Sequence, residues 1–179
     1  MIRKFQNHTP QIPDSCYIFP TATIIGDVVL GENVIAYPGV VIRGERHKVV
    51  IGDNTNLQEN STIHMEWDRD CIIGSGVTIG HNAIIHACTI CDNVLVGMGA
   101  IVQDGAVIGE NSFIGAGALI PRKMIVPPGS MVYGFPARIV RPITQAEYEE
   151  IRESAAEYQL YKQDLEAQDA ALAKEERLD

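Results

Sequence analysis

The sequence predicts an all-β fold, a parallel β-helix of hexapeptide repeats with a C-terminal α-helix. Large aliphatic residues recur every six positions through most of residues 22 to 120. Glycine followed by Asn or Asp punctuates these runs, as in Gly31-Glu32-Asn33, Gly52-Asp53-Asn54 and Gly109-Glu110-Asn111. A separate apolar stripe at helical spacing begins after residue 143.

Each hexad reads as a short strand and a tight turn. One inward column runs through Ile24, Leu30, Ala36 and Ile42, with Val28, Val34 and Val40 as its companion. The register resumes at Ile51, Leu57 and Ile63, then at Ile73, Ile79 and Ile85. It shifts by one residue and continues through Ile90, Val96, Val102, Ile108, Ile114 and Ile120. Here the companion column is small: Val94, Ala100, Ala106, Ser112 and Ala118. Gly and Asn tolerate the positive φ of tight turns. One coil cannot bury its own apolar face, so the coils must stack. The repeat resembles that of the left-handed β-helix family, and the expected handedness comes from this resemblance.

The flanking segments follow from the same logic. Residues 1 to 20, with Pro10, Pro13 and Pro20, read as an irregular lead-in that covers the open end of the first coil. Residues 65 to 71 break the period and read as a short loop. Pro127-Pro128-Gly129 stops the prism within the exit segment 121 to 134. Residues 1–142 are therefore assigned to the β-helix with its lead-in, and 143–179 to a helix packed on the prism. Thr144 and Glu147 form a capping-box pattern at the helix start. Tyr148, Ile151, Ala155, Tyr158, Tyr161 and Leu165 give the stripe that docks on a prism face, of this subunit or a neighbour. The charged residues after about 167 are expected to fray.

Composition narrows the functional classes. The 179 residues carry a net charge of −9 without a Lys/Arg cluster, which argues against nucleic acid or an anionic membrane as partner. No apolar run is long enough to cross a bilayer. The start Met1-Ile2-Arg3-Lys4 leads into polar residues rather than the apolar core of a secretory leader, so a cytoplasmic location is expected. Cys88 and Cys91 match C-x-x-C, but the pair falls across a β-helix turn and, like Cys16 and Cys71, reads as ordinary packing cysteine.

Three of the five histidines, His64, His81 and His86, lie inside the repeat. His64 and His81 are seventeen residues apart, close to one coil of three hexads, and His86 follows about one face further on. Three neutral imidazoles with an open fourth position make a catalytic zinc site. The other reading is a polar stack at a subunit contact. Arg43 and Glu45 flank Gly44 and can pair with each other, near a site or across a subunit interface. Gln58 precedes His64 by one face, where its amide can orient a metal-bound water, and Glu59 follows it.

Arg43-Gly44-Glu45, Asn56-Leu57-Gln58-Glu59, His64 and His81-x4-His86 together resemble the gamma-class carbonic anhydrase family and its bacterial relatives, over roughly residues 10 to 142. The exit Val132-Tyr133-Gly134-Phe135-Pro136-Ala137-Arg138 is also similar to theirs. The resemblance implies a homotrimer of left-handed β-helices with a zinc-type metal, iron or cobalt being possible, at each subunit interface. His64 and His86 would come from one subunit and His81 from its neighbour. It further implies that Arg43 and Glu45 support the interface, Gln58 hydrogen-bonds metal-bound solvent and Tyr133 lies at the pocket rim. The implied reaction is reversible hydration of CO2 to bicarbonate by metal-bound hydroxide. The chain departs from the family at Glu45, where Asp is usual, and in the short stretch between His64 and His81, where Glu66, Asp68 and Asp70 are the acids available. Two alternatives share the fold. One is an acyl-CoA thioesterase or coenzyme A-dependent acyltransferase, with Arg122, Lys123, Arg138 and Arg141 near a coenzyme A phosphate. The other is a non-catalytic trimeric scaffold locked by its metal.

Overall fold

The structure, a computed structural model, describes residues 1–175. Short parallel strands stack into an eleven-stranded and an eight-stranded sheet. The larger sheet turns a corner, because Thr23–Leu30 and Val41–Ile51 run through the bend unbroken. The first halves of these strands pair onward to Thr62–His64 and Ile84–His86, the second halves to Cys71–Ile73 and Thr89–Ile90. The result is a prism with three faces: two from the large sheet and a third running from Tyr17–Ile18 through Asn56–Leu57 and Thr78–Ile79 to Ser130–Gly134.

The predicted columns are the core. Ile24, Ile42, Ile63, Ile85, Val102 and Ile120 stack along the first face at 0 % exposure. Leu57, Ile79, Val96, Ile114 and Val132 do the same along the third. Asn33, Asn54 and Asn111 take φ values of 58°, 55° and 54°, the turn conformation their repeat position demands. At Gly74 the next coil comes so close that a Cβ would sit 2.8 Å from the Asp92 nitrogen.

Three expectations are corrected. Residues 1–20 complete a first coil rather than forming an irregular cover: Ile2–Arg3 pairs with Ile24–Ile25, Gln11 with Val29, and Tyr17–Ile18 with Ile35–Ala36. The break at 65–71 is a small hairpin closed by the Glu66–Arg69 bridge, so local antiparallel bonds satisfy its backbone. The C-terminal helix, α1 (Gln145–Glu175), continues past residue 167, because Ala170, Ala171, Leu172 and Ala173 are strong helix formers. The last part of the expected frayed tail, residues 176–179, lies outside the described residues.

As α1 proceeds it runs back down the third face of its own prism. Ser154 meets Thr78, Tyr158 packs edge-on to Tyr37 at 5.6 Å, Gln159 donates to the Asn33 carbonyl, and Tyr17 donates to Asp169 at 2.6 Å. Its covered stripe is Ile151, Ala155, Tyr158, Lys162 and Leu165. Lys162 replaces the expected Tyr161, which is exposed; the lysine buries its stem and pairs with Glu166 at 2.7 Å. The capping box forms as expected: the Thr144 amide donates to Glu147 at 2.8 Å and the Glu147 amide to Thr144 Oγ1 at 3.3 Å. No helix of the described residues is long and apolar enough to cross a membrane.

Two outcomes test this account. Ile85→Ala leaves a cavity between Ile63 and Val102 and costs about 2–5 kcal/mol in urea unfolding. Glu147 is held at about 2, first by the Arg141 side chain and then by the Thr144 backbone. A depressed carboxylate contributes its stability fully above its usual value of 4.5 and loses it as pH falls through 2. The stability difference between wild type and Glu147→Gln is therefore constant above that pH and shrinks below it, as read by helical circular dichroism during unfolding.

Candidate metal centre

Coil register decides which histidines meet. His86 pairs directly with His64 on the first face, twenty-two residues later. The hairpin lengthens this coil beyond three hexads, so His86 rather than His81 is the coil-equivalent of His64. The expectation that seventeen residues place His64 and His81 one coil apart is corrected accordingly. His64 Nδ1 and His86 Nε2 face each other at 3.1 Å, with ring centroids 5.1 Å apart.

His81 stands on the corner before that face, two residues past Ile79, in the coil above Glu59. Among the described residues, the cluster with three donor groups mutually within 4.8 Å is Glu66, His86 and Asp104; His81 is not part of it. One chain therefore gathers two separate groups: His64 with His86, and His81 with Gln58 and Glu59.

Each imidazole has a carboxylate on one nitrogen. Glu45 Oε2 meets His64 Nε2 at 2.9 Å, while its other oxygen pairs with Arg43. Glu59 Oε2 meets His81 Nδ1 at 2.6 Å. Asp104 holds His86 Nδ1 with one oxygen and Arg122 with the other. The second nitrogens of His64 and His86 face each other, and His81 Nε2 has no hydrogen-bond partner among the described residues. Gln58 is 7 % exposed, and its Oε1 accepts the His81 backbone N–H at 3.2 Å, which leaves the amide NH2 as a fixed donor beside that corner. Glu45 thus reaches Arg43 and His64 together.

The electrostatics favour a neutral His64. Burial, then the Arg43 charge and His86, push His64 down to about 4, so its ring is neutral at pH 7. Burial opposes ionisation of Asp104, but hydrogen bonds from His86 and Arg122 outweigh it and hold this carboxyl below the usual range. The Glu66–His86–Asp104 grouping is less suited to a cation of its own, since both Asp104 oxygens are already engaged; it reads as the support of His86.

Tyr133 belongs to the strand Ser130–Gly134 of the third face. It lies three coils from the His81 corner, about 14 Å along the prism axis at the usual strand spacing, with its ring over Gly115, where any side chain would collide. Of the basic residues near the exit, Arg122 is engaged by Asp104, and Arg141 grips Glu147 through two bonds of 2.7 Å.

Asp104 and Arg122 were not assigned to the site from sequence. In Gln103-Asp104-Gly105 an aspartate before glycine reads as turn chemistry. The available signal was its position eighteen residues after His86.

Two open clefts flank the His64–His86 pair. One, of about 460 Å3, is polar and lined by Asp68, Arg69, Asp104, Arg122 and Lys123. The other, of about 360 Å3, is lined by Phe5, Arg46, His64, Met65 and Trp67. Glu66 borders both.

Known proteins share this geometry's sequence. Residues 87–122 match the family model described as bacterial transferase hexapeptide (six repeats). The carbonic anhydrase of Geobacillus kaustophilus is 40% identical over 158 residues, which span 88% of this chain and 87% of that protein. The mitochondrial gamma carbonic anhydrase 1 of Arabidopsis thaliana is 36% identical over 155 residues, 83% of this chain and 56% of its own. A crystal structure from Bacillus cereus, named as a putative acetyltransferase, superposes with a TM-score of 0.88 at 36% identity, covering 90% of this chain and 96% of that one. The chain belongs to the gamma-class carbonic anhydrase-like family of hexapeptide-repeat proteins.

Proposed function

We propose that this protein is a zinc-dependent, gamma-class carbonic anhydrase-like enzyme that reversibly hydrates CO2 to bicarbonate. It acts as a homotrimer in which His64 and His86 of one subunit and His81 of its neighbour hold the metal at each interface. The observation that carries this reading is the carboxylate behind every histidine: Glu45, Asp104 and Glu59 each fix one ring nitrogen. Metal-binding histidines have this outer support as a rule.

The donor set fits the ion. Two nitrogens on a tetrahedral zinc lie about 3.3 Å apart, as follows from bond lengths near 2.05 Å. The 3.1 Å between His64 Nδ1 and His86 Nε2 is close to that bite. Zinc there supplies Lewis acidity that makes water a nucleophile near neutral pH. The same nitrogens accept iron(II) or cobalt(II).

The protein's own residues do the rest. Asp104, anchored by Arg122, fixes the His86 ring with Nε2 toward His64. Glu45 fixes His64 while Arg43 neutralises its second oxygen. Glu59 leaves His81 Nε2 pointing away from its own carboxylate, free for a neighbouring subunit. Gln58 offers an NH2 that can hold a bicarbonate oxygen, because its carbonyl is already occupied by the His81 amide.

The coenzyme A reading is supported by the name of the Bacillus cereus neighbour. Against it, acyl transfer needs one histidine base rather than three supported ones, and Arg122 and Arg141 are committed to Asp104 and Glu147.

The deciding experiment is stopped-flow CO2 hydration on anaerobically purified protein, with metal quantified in the same sample. About one metal per chain with clear hydration is expected from a three-histidine site at every interface. Full metal without hydration overturns the hydratase reading and directs the assay to acyl-CoA hydrolysis. His81→Ala is expected to lose metal and weaken the trimer in analytical ultracentrifugation; a metal-free variant that remains equally trimeric counts against a shared site. Asp104→Asn is expected to lower metal affinity about 10–100-fold in chelator competition while thermal unfolding of the metal-free protein changes little.

A further inference from the structure

The cleft that ends on His64 is larger and more apolar than CO2 or bicarbonate requires. At about 360 Å3 it falls at the small end of organic-ligand pockets. Phe5, Met65 and Trp67 provide apolar wall, His64 closes the inner end, and Arg46 stands by the indole. Trp67 is 64% exposed, an unusual position for an indole.

Arg46 is placed as an anion-binding group. Its guanidinium carbon lies 3.1 Å from the Trp67 ring centroid, stacked on the indole face. Stacking engages the face of the guanidinium and leaves its in-plane N–H donors available. Arg43, which flanks the same cleft, is paired with Glu45, and the imidazoles of His47 and His8 lie 3.2 Å from Asp70 and 3.3 Å from Asp27. Arg46 has no ion-pair or side-chain hydrogen-bond partner among the described residues. Glu45 also lines the cleft, but Arg43 neutralises its charge and its second oxygen is engaged by the His64 ring. Glu66 is turned to the Trp67 backbone amide, which donates to it at 2.8 Å.

We propose that Arg46 and Trp67 form the mouth of a binding subsite for a small organic carboxylate with an apolar body. The carboxylate is held by the free edge of Arg46. The body lies along Trp67, Met65 and Phe5 with its tail toward His64. No metal takes part in this binding, so the subsite stands or falls separately from the hydratase reading.

The chain contains a single tryptophan, so intrinsic fluorescence reports on this subsite alone. Full-length protein, with metal and after its removal, is titrated with hexanoate, with sodium bicarbonate as the anion without an apolar body and 1-hexanol as the body without a charge. Saturable change with hexanoate is expected in both metal states, at least about tenfold tighter than with either control. Arg46→Ala, an exposed position whose loss should leave the fold intact, is expected to weaken hexanoate about tenfold or more in calorimetry, the scale of a charge-assisted hydrogen bond. Arg46→Lys is expected to recover only part of this, because it keeps charge without the planar fork. Equal affinity for hexanoate and bicarbonate overturns the apolar part of the proposal. Absence of saturation, or unchanged affinity in Arg46→Ala, overturns it entirely.

Discussion

Everything in this molecule depends on the lateral register of one coil on the next. The strand hydrogen bonds run between coils while tight turns close within them, and the buried aliphatic columns allow only one registration of each strand on its neighbours. A one-residue slip would turn Ile63 and Ile85 outward and the histidines inward. The apolar columns therefore determine the positions of the polar groups that carry no packing energy themselves.

The histidine supports follow from that constraint. Glu59 lies under His81 because Leu57 lies under Ile79, and Asp104 reaches His86 because Val102 lies over Ile85. Glu45 follows Arg43 along a continuous strand and returns to His64 in the coil above. Three carboxylate–imidazole pairs are thus built by stacking, on rigid strands and corners rather than on long loops. Each imidazole is thereby held in one orientation by its carboxylate, the kind of preorganisation that the proposed metal site requires.

Much of this was legible in the sequence, because a hexad repeat converts chain position into spatial position. Ile24 through Ile120 are buried as the period implies, and Thr144 and Glu147 cap the helix they mark. The partners of individual histidines were less legible. The repeat arithmetic assumed coils of constant length, and the Glu66–Arg69 hairpin breaks that assumption, which exchanged His81 for His86 as the residue stacked on His64. Asp104 has no distinguishing neighbour in sequence, and its role arises only from the coil below it. Lys162 was hidden for a different reason: hydrophobicity marks Tyr161 as the buried residue, whereas the geometry of α1 covers the lysine stem.

The hairpin has a consequence for how this scaffold can diversify. Because Met65 is buried in the core and Ile73 re-enters the column directly over Ile51 and under Ile90, only residues 66–70 lie outside the stacking that holds the prism together. Their number can change without displacing any histidine. The same segment presents Glu66 to both clefts, Trp67 to one, and Asp68 and Arg69 to the other, so it is the part of the fold where insertion or deletion can reshape what approaches the centre while the centre itself stays fixed. Related chains with identical histidines can in this way differ in the molecules they admit.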